Sequence, residues 1–288
     1  MGFRDRADGV LLTKISGFRK MWPYLMPTRV ESTLYATQRI RLGNTLSWLE
    51  QTNAGREEKL TLFHVILAAS VRLFALRPDL NRFVAGRRIY QRRAIDISFV
   101  VKREKSERGS ETTLKLTFDP SSTIETVARQ VAAAVSSTRE SKSSHDENFA
   151  NLLTVMPRFL IRSLIRFGRI LDYFGLLPAS YIRGDAMFAS GFLSHLASIN
   201  LDAAYHPLFE WGNTSFFLVV GKKKKEPAVS DEGELRIEEV MDLAFSLDHR
   251  VTTGVHFFKG IALYVDLLEN PAPLMEQPQI LPDPLARA

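Results

Sequence analysis

The sequence predicts a mixed α/β (α+β) fold, a β-sheet with helices to one side. Three observations predict it. Segments of strand length and alternation are interleaved with four or five segments of helical period. The 288 residues, 45% apolar and 24% charged, have the composition of a globular chain with ample material for a core. No internal repeat points to a solenoid. The length suits one large or two small domains, and one domain over 1–288 is expected.

Met1 to Thr28 is basic and then apolar. Its two prolines, Pro23 and Pro27, argue against a long helix. Its aromatic density suggests an arm, residues 1–29, laid over another surface. Val30 to Leu42 reads as a strand, with Leu34, Ala36, Gln38, Ile40 and Leu42 on one face. Thr45 to Gln51 starts a helix that breaks at Asn53-Ala54-Gly55. Leu60 to Leu76 is a helix with Leu62, Phe63, Ile66, Ala69 and Leu73 on one face, stopped by Arg77-Pro78. Ile89 to Val101 reads as two strands, Lys102 to Glu111 as a charged hairpin or loop, and Leu114 to Phe118 as a strand.

Ser121 to Glu140 is a helix, with Ser122 and Glu125 at capping-box spacing. Ser136 to Asn148 is polar and reads as a mobile connection. Within 149–185 lies a basic amphipathic helix. Pro157 starts it, and Gly175 and Pro178 end it. Arg158, Arg162, Arg166 and Arg169 share one stripe, and Phe159, Leu160, Leu164, Phe167, Ile170, Leu171 and Phe174 fill much of the rest. Four arginines argue against a membrane span. An interfacial helix on anionic lipid and a helix packed on protein both fit the pattern. Phe192 to Leu201 and Ser215 to Gly221 read as strands. Lys222 to Lys225 reads as the solvated mouth of a hairpin. Leu235 to Leu247 reads as a strand pair ending at His249, and Val255 to Leu268 as an amphipathic segment. Proline makes 271–288 an extended tail.

Composition excludes several chemistries. There is no cysteine, hence no disulfide, thiolate metal site or cysteine nucleophile. There is no P-loop, no dinucleotide-binding glycine turn and no metal-spaced cluster. The charged N-terminus is not a signal peptide. A net charge of +6 permits anionic ligands without choosing among them. Nucleic-acid binding rests on that charge alone and is not expected. A cytoplasmic protein is expected, peripheral at a membrane if the basic helix touches lipid. Among the histidines, His249 stands out because it follows an apolar strand at a strand-to-helix break, where a general base is often presented. His195 and His206 sit at strand ends or loops, and His64 on an apolar helix reads as structural.

The order of these motifs resembles the catalytic domain of the dihydrolipoyl acyltransferases of 2-oxo acid dehydrogenase complexes, which have the chloramphenicol acetyltransferase-like fold. Ser16-Gly17-Phe18-Arg19-Lys20 is similar to that domain's Arg-Lys opening, and Arg77-Pro78-Asp79-Leu80-Asn81 to its Pro-Glu-Leu-Asn turn. Gly191 to Leu196, Asp202, Pro207 and Phe217 to Lys222 follow its Ser/Thr strand, Pro loop and buried strand. Asp248-His249-Arg250-Val251-x-x-Gly254 resembles its Asp-His-Arg-x-x-Asp-Gly motif. The sequence holds no lipoyl or peripheral-subunit-binding domain, so a free-standing member is expected.

The resemblance implies a coenzyme A-dependent acyltransferase, with CoA as co-substrate, no resident cofactor and no metal. His249 would take a proton from a thiol or hydroxyl acceptor, and Ser194 would steady the oxyanion. Asp248, Arg250, Thr253 and Gly254 would support them. The family site forms between subunits of a homotrimer, alone or multiplied into cubic or icosahedral assemblies. Thr253 stands where the family has aspartate. That departure keeps a second reading open: a non-catalytic trimeric scaffold of the same fold that docks on a membrane or partner through the 157–174 helix.

Overall fold

The computed structural model describes residues 5–102, 111–140, 156–229 and 233–280. Among them are two sheets. The larger has the order β2 (Thr33–Arg41), β9 (Leu235–Asp248), β8 (Phe216–Val229), β7 (Gly191–His195), β5 (Ile95–Lys102) and β6 (Glu111–Phe118). It is mixed: β7 runs parallel to both β5 and β8, and the other pairs are antiparallel. The smaller sheet is antiparallel, in the order β1 (Gly9–Leu11), β4 (Arg88–Arg92), β3 (Arg82–Ala85). The helices are α1 (Gly17–Leu25), α2 (Gly43–Thr52), α3 (Leu62–Leu76), α4 (Ile124–Glu140), α5 (Arg158–Phe174), α6 (Ala179–Gly184) and α7 (Gly254–Glu269).

The core lies between the large sheet and one layer of helices. α3 is apolar on all sides and buried from Val65 to Ala75, as expected of a helix with neighbours on every face. It packs against α4 and α7 and under Ile97, Phe99, Leu218 and Phe245. Thr61 and His64 cap its start reciprocally, which gives His64 the structural role expected of it. On the other face of the sheet, Phe192, Phe217, Val219 and Ala244 form a smaller cluster with Leu208. Alternation along β7 therefore turns Leu193 and His195 toward the helices, and Phe192 and Ser194 the opposite way.

Several expectations need correction. The N-terminal arm holds a strand and a short helix; α1 includes Pro23 but ends at Leu25, so no long helix passes through the two prolines, as expected. Arg87 donates to the Pro23 carbonyl, one of the acceptors that the end of this short helix leaves free. β3 is an unexpected strand, its four residues being too few to establish a period. The reciprocal cap of α4 joins Thr123 and Thr126, while Glu125 pairs with Arg56 at 2.7 Å. α4 continues to Glu140, so the polar stretch from Ser136 is helical at first, and 141–148 lies outside the described residues. Most of the predicted loop after Lys102 lies outside them too. β7 stops at His195, and Leu196–Ile199 is a 3-10 turn. Lys222 to Lys225 belongs to β8 itself, where Lys224 pairs with Asp242 at 2.6 Å. Leu235 to Asp248 is one strand rather than two. The tail begins with a 3-10 turn, Ala272–Met275, whose Leu274 enters the core.

α5 forms as the sequence predicts, but none of its residues is buried. Ile161, Ile165 and Gly168 turn partly inward, with Trp211 near Gly168. Phe159 and Phe174 are 67% and 68% exposed, and Leu160, Leu164, Phe167 and Ile170 lie in the open beside the arginine stripe.

Candidate active site

β9 pairs with β2 so that Asp248 lies opposite Thr33. There the strand ends in a tight turn. The Val251 amide donates to the Asp248 carbonyl at 3.1 Å, and the His249 amide to the Ser32 carbonyl at 2.8 Å. α7 starts at Gly254 with Thr253 as its cap, the Thr253 hydroxyl accepting from the His256 amide at 3.4 Å. This strand–turn–helix junction fixes the backbone of His249 from both sides.

The Asp248 carboxylate does not bond the imidazole. It takes a two-pronged pair from Arg250, at 2.8 and 2.7 Å, together with the Arg250 amide at 3.0 Å and the Ser32 hydroxyl at 3.1 Å. Arg250 spends a further donor on the Met26 carbonyl at 3.0 Å. Asp248 and Arg250 are 0% and 3% exposed, so this pair is a buried clamp that ties the turn to β2 and the end of α1.

His249 is half-buried. Its ring lies against the Trp22 indole, centroids 4.9 Å apart, and its Nδ1 is buried without a hydrogen-bond partner among the described residues. The Arg19 guanidinium sits 5.4 Å from the same indole and donates to the Arg250 carbonyl at 3.4 Å. Burial, and then the charge of Arg19, push the imidazole below its ordinary pKa against the opposing pull of Asp248. The arrangement favours a neutral imidazole, the form that accepts a proton.

Trp22, Ser32 and Asp79 are the contributors that the sequence did not single out. Asp79 accepts from the Thr252 hydroxyl at 2.6 Å and approaches His256 Nδ1 at 3.1 Å. A hydroxyl-and-carboxylate contact to the turn after α3 thus holds the histidine loop from below. The aromatic density of the N-terminal arm was the available signal for Trp22. Part of the surface beneath that arm proves to be the histidine of its own chain.

Ser194 stands elsewhere on the sheet. It pairs with Val219, which pairs with Ala244 on β9. His249 lies five positions beyond Ala244, about 17 Å along the strand, and two strand spacings add about 10 Å across. The fold therefore does not bring His249 and Ser194 together within one chain. His195 packs its ring on Phe63, and burial lowers its pKa. His206 stacks on Phe217, centroids 4.1 Å apart. Among the described residues, no group of three His, Asp or Glu side chains has the geometry of a metal site.

Residues 194–276 match the family of 2-oxoacid dehydrogenases acyltransferase catalytic domains. The match begins at Ser194 and includes the whole of the His249 turn. The chain has the chloramphenicol acetyltransferase-like fold of these acyltransferases. It is similar to the cubic core of a pyruvate dehydrogenase multienzyme complex at 17% identity, with 91% of this chain and 90% of that one covered and a TM-score of 0.59. It is similar to the dihydrolipoamide acetyltransferase of Azotobacter vinelandii at 18% identity, with 91% and 90% covered and a TM-score of 0.59. That enzyme was studied for one serine, one histidine and one asparagine in its catalytic mechanism. A chloramphenicol acetyltransferase follows at 15% identity, with 91% and 96% covered and a TM-score of 0.51. No curated protein is a significant sequence match. The acyltransferase resemblance read from the motifs thus stands, and no described helix is long and apolar enough to cross a membrane.

Proposed function

We propose that the protein transfers an acyl group between coenzyme A and a thiol or hydroxyl acceptor, with His249 as general base and Ser194 of a neighbouring subunit as oxyanion donor. The observation that carries the proposal is the state of His249: half-buried, biased toward neutrality, with an unpartnered Nδ1 and a backbone held by Ser32. In the forward step His249 takes the acceptor's proton as the acceptor oxygen or sulfur bonds to the thioester carbonyl carbon. The carbonyl electrons move onto its oxygen, to which Ser194 donates. They return as the carbon–sulfur bond breaks, and the proton on His249 passes to the leaving thiolate of CoA. The wide separation of Ser194 from His249 within one chain supports a homotrimer, alone or multiplied, in which one subunit's serine faces its neighbour's histidine. The similar Azotobacter enzyme, studied for a serine and a histidine in its catalytic mechanism, supports this reading.

The test is release of CoA from acetyl-CoA in the presence of a small dithiol, compared with His249→Ala of unchanged fold. Loss of release in the variant supports the proposal, and equal rates reject it. A second reading, a trimeric scaffold without catalysis, draws on the exposed apolar strip of α5 beside its four arginines. It expects co-sedimentation with anionic vesicles that survives His249→Ala and disappears in the combined Arg158→Glu, Arg162→Glu and Arg166→Glu variant.

A further inference from the structure

The C-terminal half of α5 roofs a half-open cavity of about 290 Å³ whose floor is the β3–β4 hairpin and whose wall is the loop before β8. Six charged residues line it: Arg29, Arg87, Arg169, Arg250, Asp172 and Glu210. Arg250 is paired with Asp248, and Asp172 with Arg6 at 2.7 Å, an arginine that Asp8 also pairs at 2.9 Å. By count the lining holds four guanidinium groups against two carboxylates, a surplus of two positive charges.

Arg29 is the unusual member. Its side chain is only 7% exposed, yet none of its donors reaches a carboxylate. It donates to the carbonyls of Phe209 and Glu210 at 3.2 Å and of Val84 at 3.4 Å, and its Nε is buried with no partner. Glu210 turns its carboxylate to the backbone amides of Arg29 and Val30, at 2.8 and 3.1 Å, so Asp248 and then Glu210 act on the Arg29 charge only from a distance. Arg169, which is exposed, forms no ion pair with any described residue, and the half-buried Arg87 donates to the neutral Pro23 carbonyl, so Arg29 is the buried cation of the three. A buried cation costs several kcal/mol of lost hydration unless an anion compensates it. Arg87 also holds a left-handed conformation, φ 60°, beside Gly86. A side chain at Gly86 would strike the Tyr173 carbonyl, so hairpin and helix meet closely at the rim. Tyr173, Phe188 and Trp211 give the rest of the lining an aromatic character.

The geometry points to a binding site for a small organic dianion, a phosphomonoester with an apolar or aromatic body, held by Arg29, Arg87 and Arg169. A phosphomonoester carries close to two charges at neutral pH and three acceptor oxygens, which matches the surplus of charge and the spread of donors. The aromatic wall takes the organic part. The cavity shares Arg250 with the His249 turn, but the proposal does not rest on acyl transfer.

Phenyl phosphate is the probe, titrated into the intact protein by calorimetry at neutral pH, with benzoate and inorganic phosphate as comparison arms. Phenyl phosphate binds and raises the thermal midpoint, benzoate binds more weakly for want of the second charge, and inorganic phosphate for want of the aromatic body. Arg169→Ala and Arg87→Gln each weaken phenyl phosphate by about tenfold or more, the worth of one charge-assisted hydrogen bond. His249→Ala leaves the affinity unchanged, which separates this site from the proposed general base. Three results would each overturn the assignment: no binding of phenyl phosphate, equal binding of inorganic phosphate, or affinities untouched by both arginine substitutions.

Discussion

The imidazole of His249 lies on the indole of Trp22, ring centroids 4.9 Å apart, and the same indole carries the guanidinium of Arg19. One short helix from the start of the chain thus supplies both the apolar cover and the positive charge that bias a histidine near its end. This contact makes the basicity of His249 a property of α1 as much as of its own turn.

The first prediction concerns pH. Burial and Arg19 lower the folded-state pKa of His249 below the ordinary value of about 6.5. The folded chain therefore binds this proton less readily than the unfolded chain. Above the ordinary value both states are neutral, and the group has no effect on stability. As pH falls through that value the unfolded chain takes up the proton first and stability declines. Acyl transfer, which needs the neutral ring, keeps its rate to a lower pH than an unperturbed histidine would allow. Arg19→Met removes the repelling charge and moves the acid limb of the pH–rate profile upward. A limb that stays in place in Arg19→Met would refute this account of the shift.

The second prediction uses the distance between Ser194 and His249. Each substitution alone removes most activity: His249→Ala through loss of the base, and Ser194→Ala by about 10²–10³-fold through loss of one oxyanion donor. When the two inactive variants are unfolded together and reassembled, mixed subunits restore part of the wild-type rate, because some interfaces then pair an intact serine with an intact histidine. Mixtures no more active than either parent would reject the pairing of one subunit's Ser194 with its neighbour's His249.

The third prediction concerns the buried pair. Asp248→Asn leaves the Arg250 guanidinium enclosed with no carboxylate, a change that costs about 3–5 kcal/mol. Urea denaturation at pH 7 should show the midpoint falling with the slope unchanged. Arg250→Lys keeps the charge but loses the planar fork that spans both Asp248 oxygens, and it costs less. A loss within about 1 kcal/mol for Asp248→Asn would mean that the clamp is not what fixes this turn.

Some of this was legible in the sequence for physical reasons. α3, α5 and α7 announce themselves because their apolar residues recur at helical period, and β2 and β9 because theirs suit a sheet. The order of the motifs, Asp248-His249-Arg250 among them, carried the resemblance, and the role of Ser194 was implied by that resemblance. β3 did not show, because a four-residue strand holds too few side chains to establish a period. Trp22 did not show as a neighbour of His249, because contacts between distant segments leave no local pattern. The α4 cap was misplaced by one position because Ser122 and Thr123 are both competent caps, and only the backbone geometry chooses. Arg29 carried no signal of its own, since nothing local says that α5 and the hairpin close over that region.

The last prediction concerns Thr253, where the family pattern has aspartate. The position is the cap of α7, and the hydroxyl receives the His256 amide. Threonine and aspartate both serve there, and aspartate adds a favourable charge at the helix start. Thr253→Asp is therefore expected to keep or raise stability, by up to about 1 kcal/mol, while Thr253→Ala lowers it by about 1 kcal/mol. The neighbouring Asp79 carboxylate limits the gain from a second negative charge, because it already holds Thr252 and approaches His256. Thermal unfolding of the two variants measures the difference. If Thr253→Asp is destabilised as much as Thr253→Ala, repulsion from Asp79 dominates, and the threonine is required by its local surroundings rather than tolerated as an alternative cap.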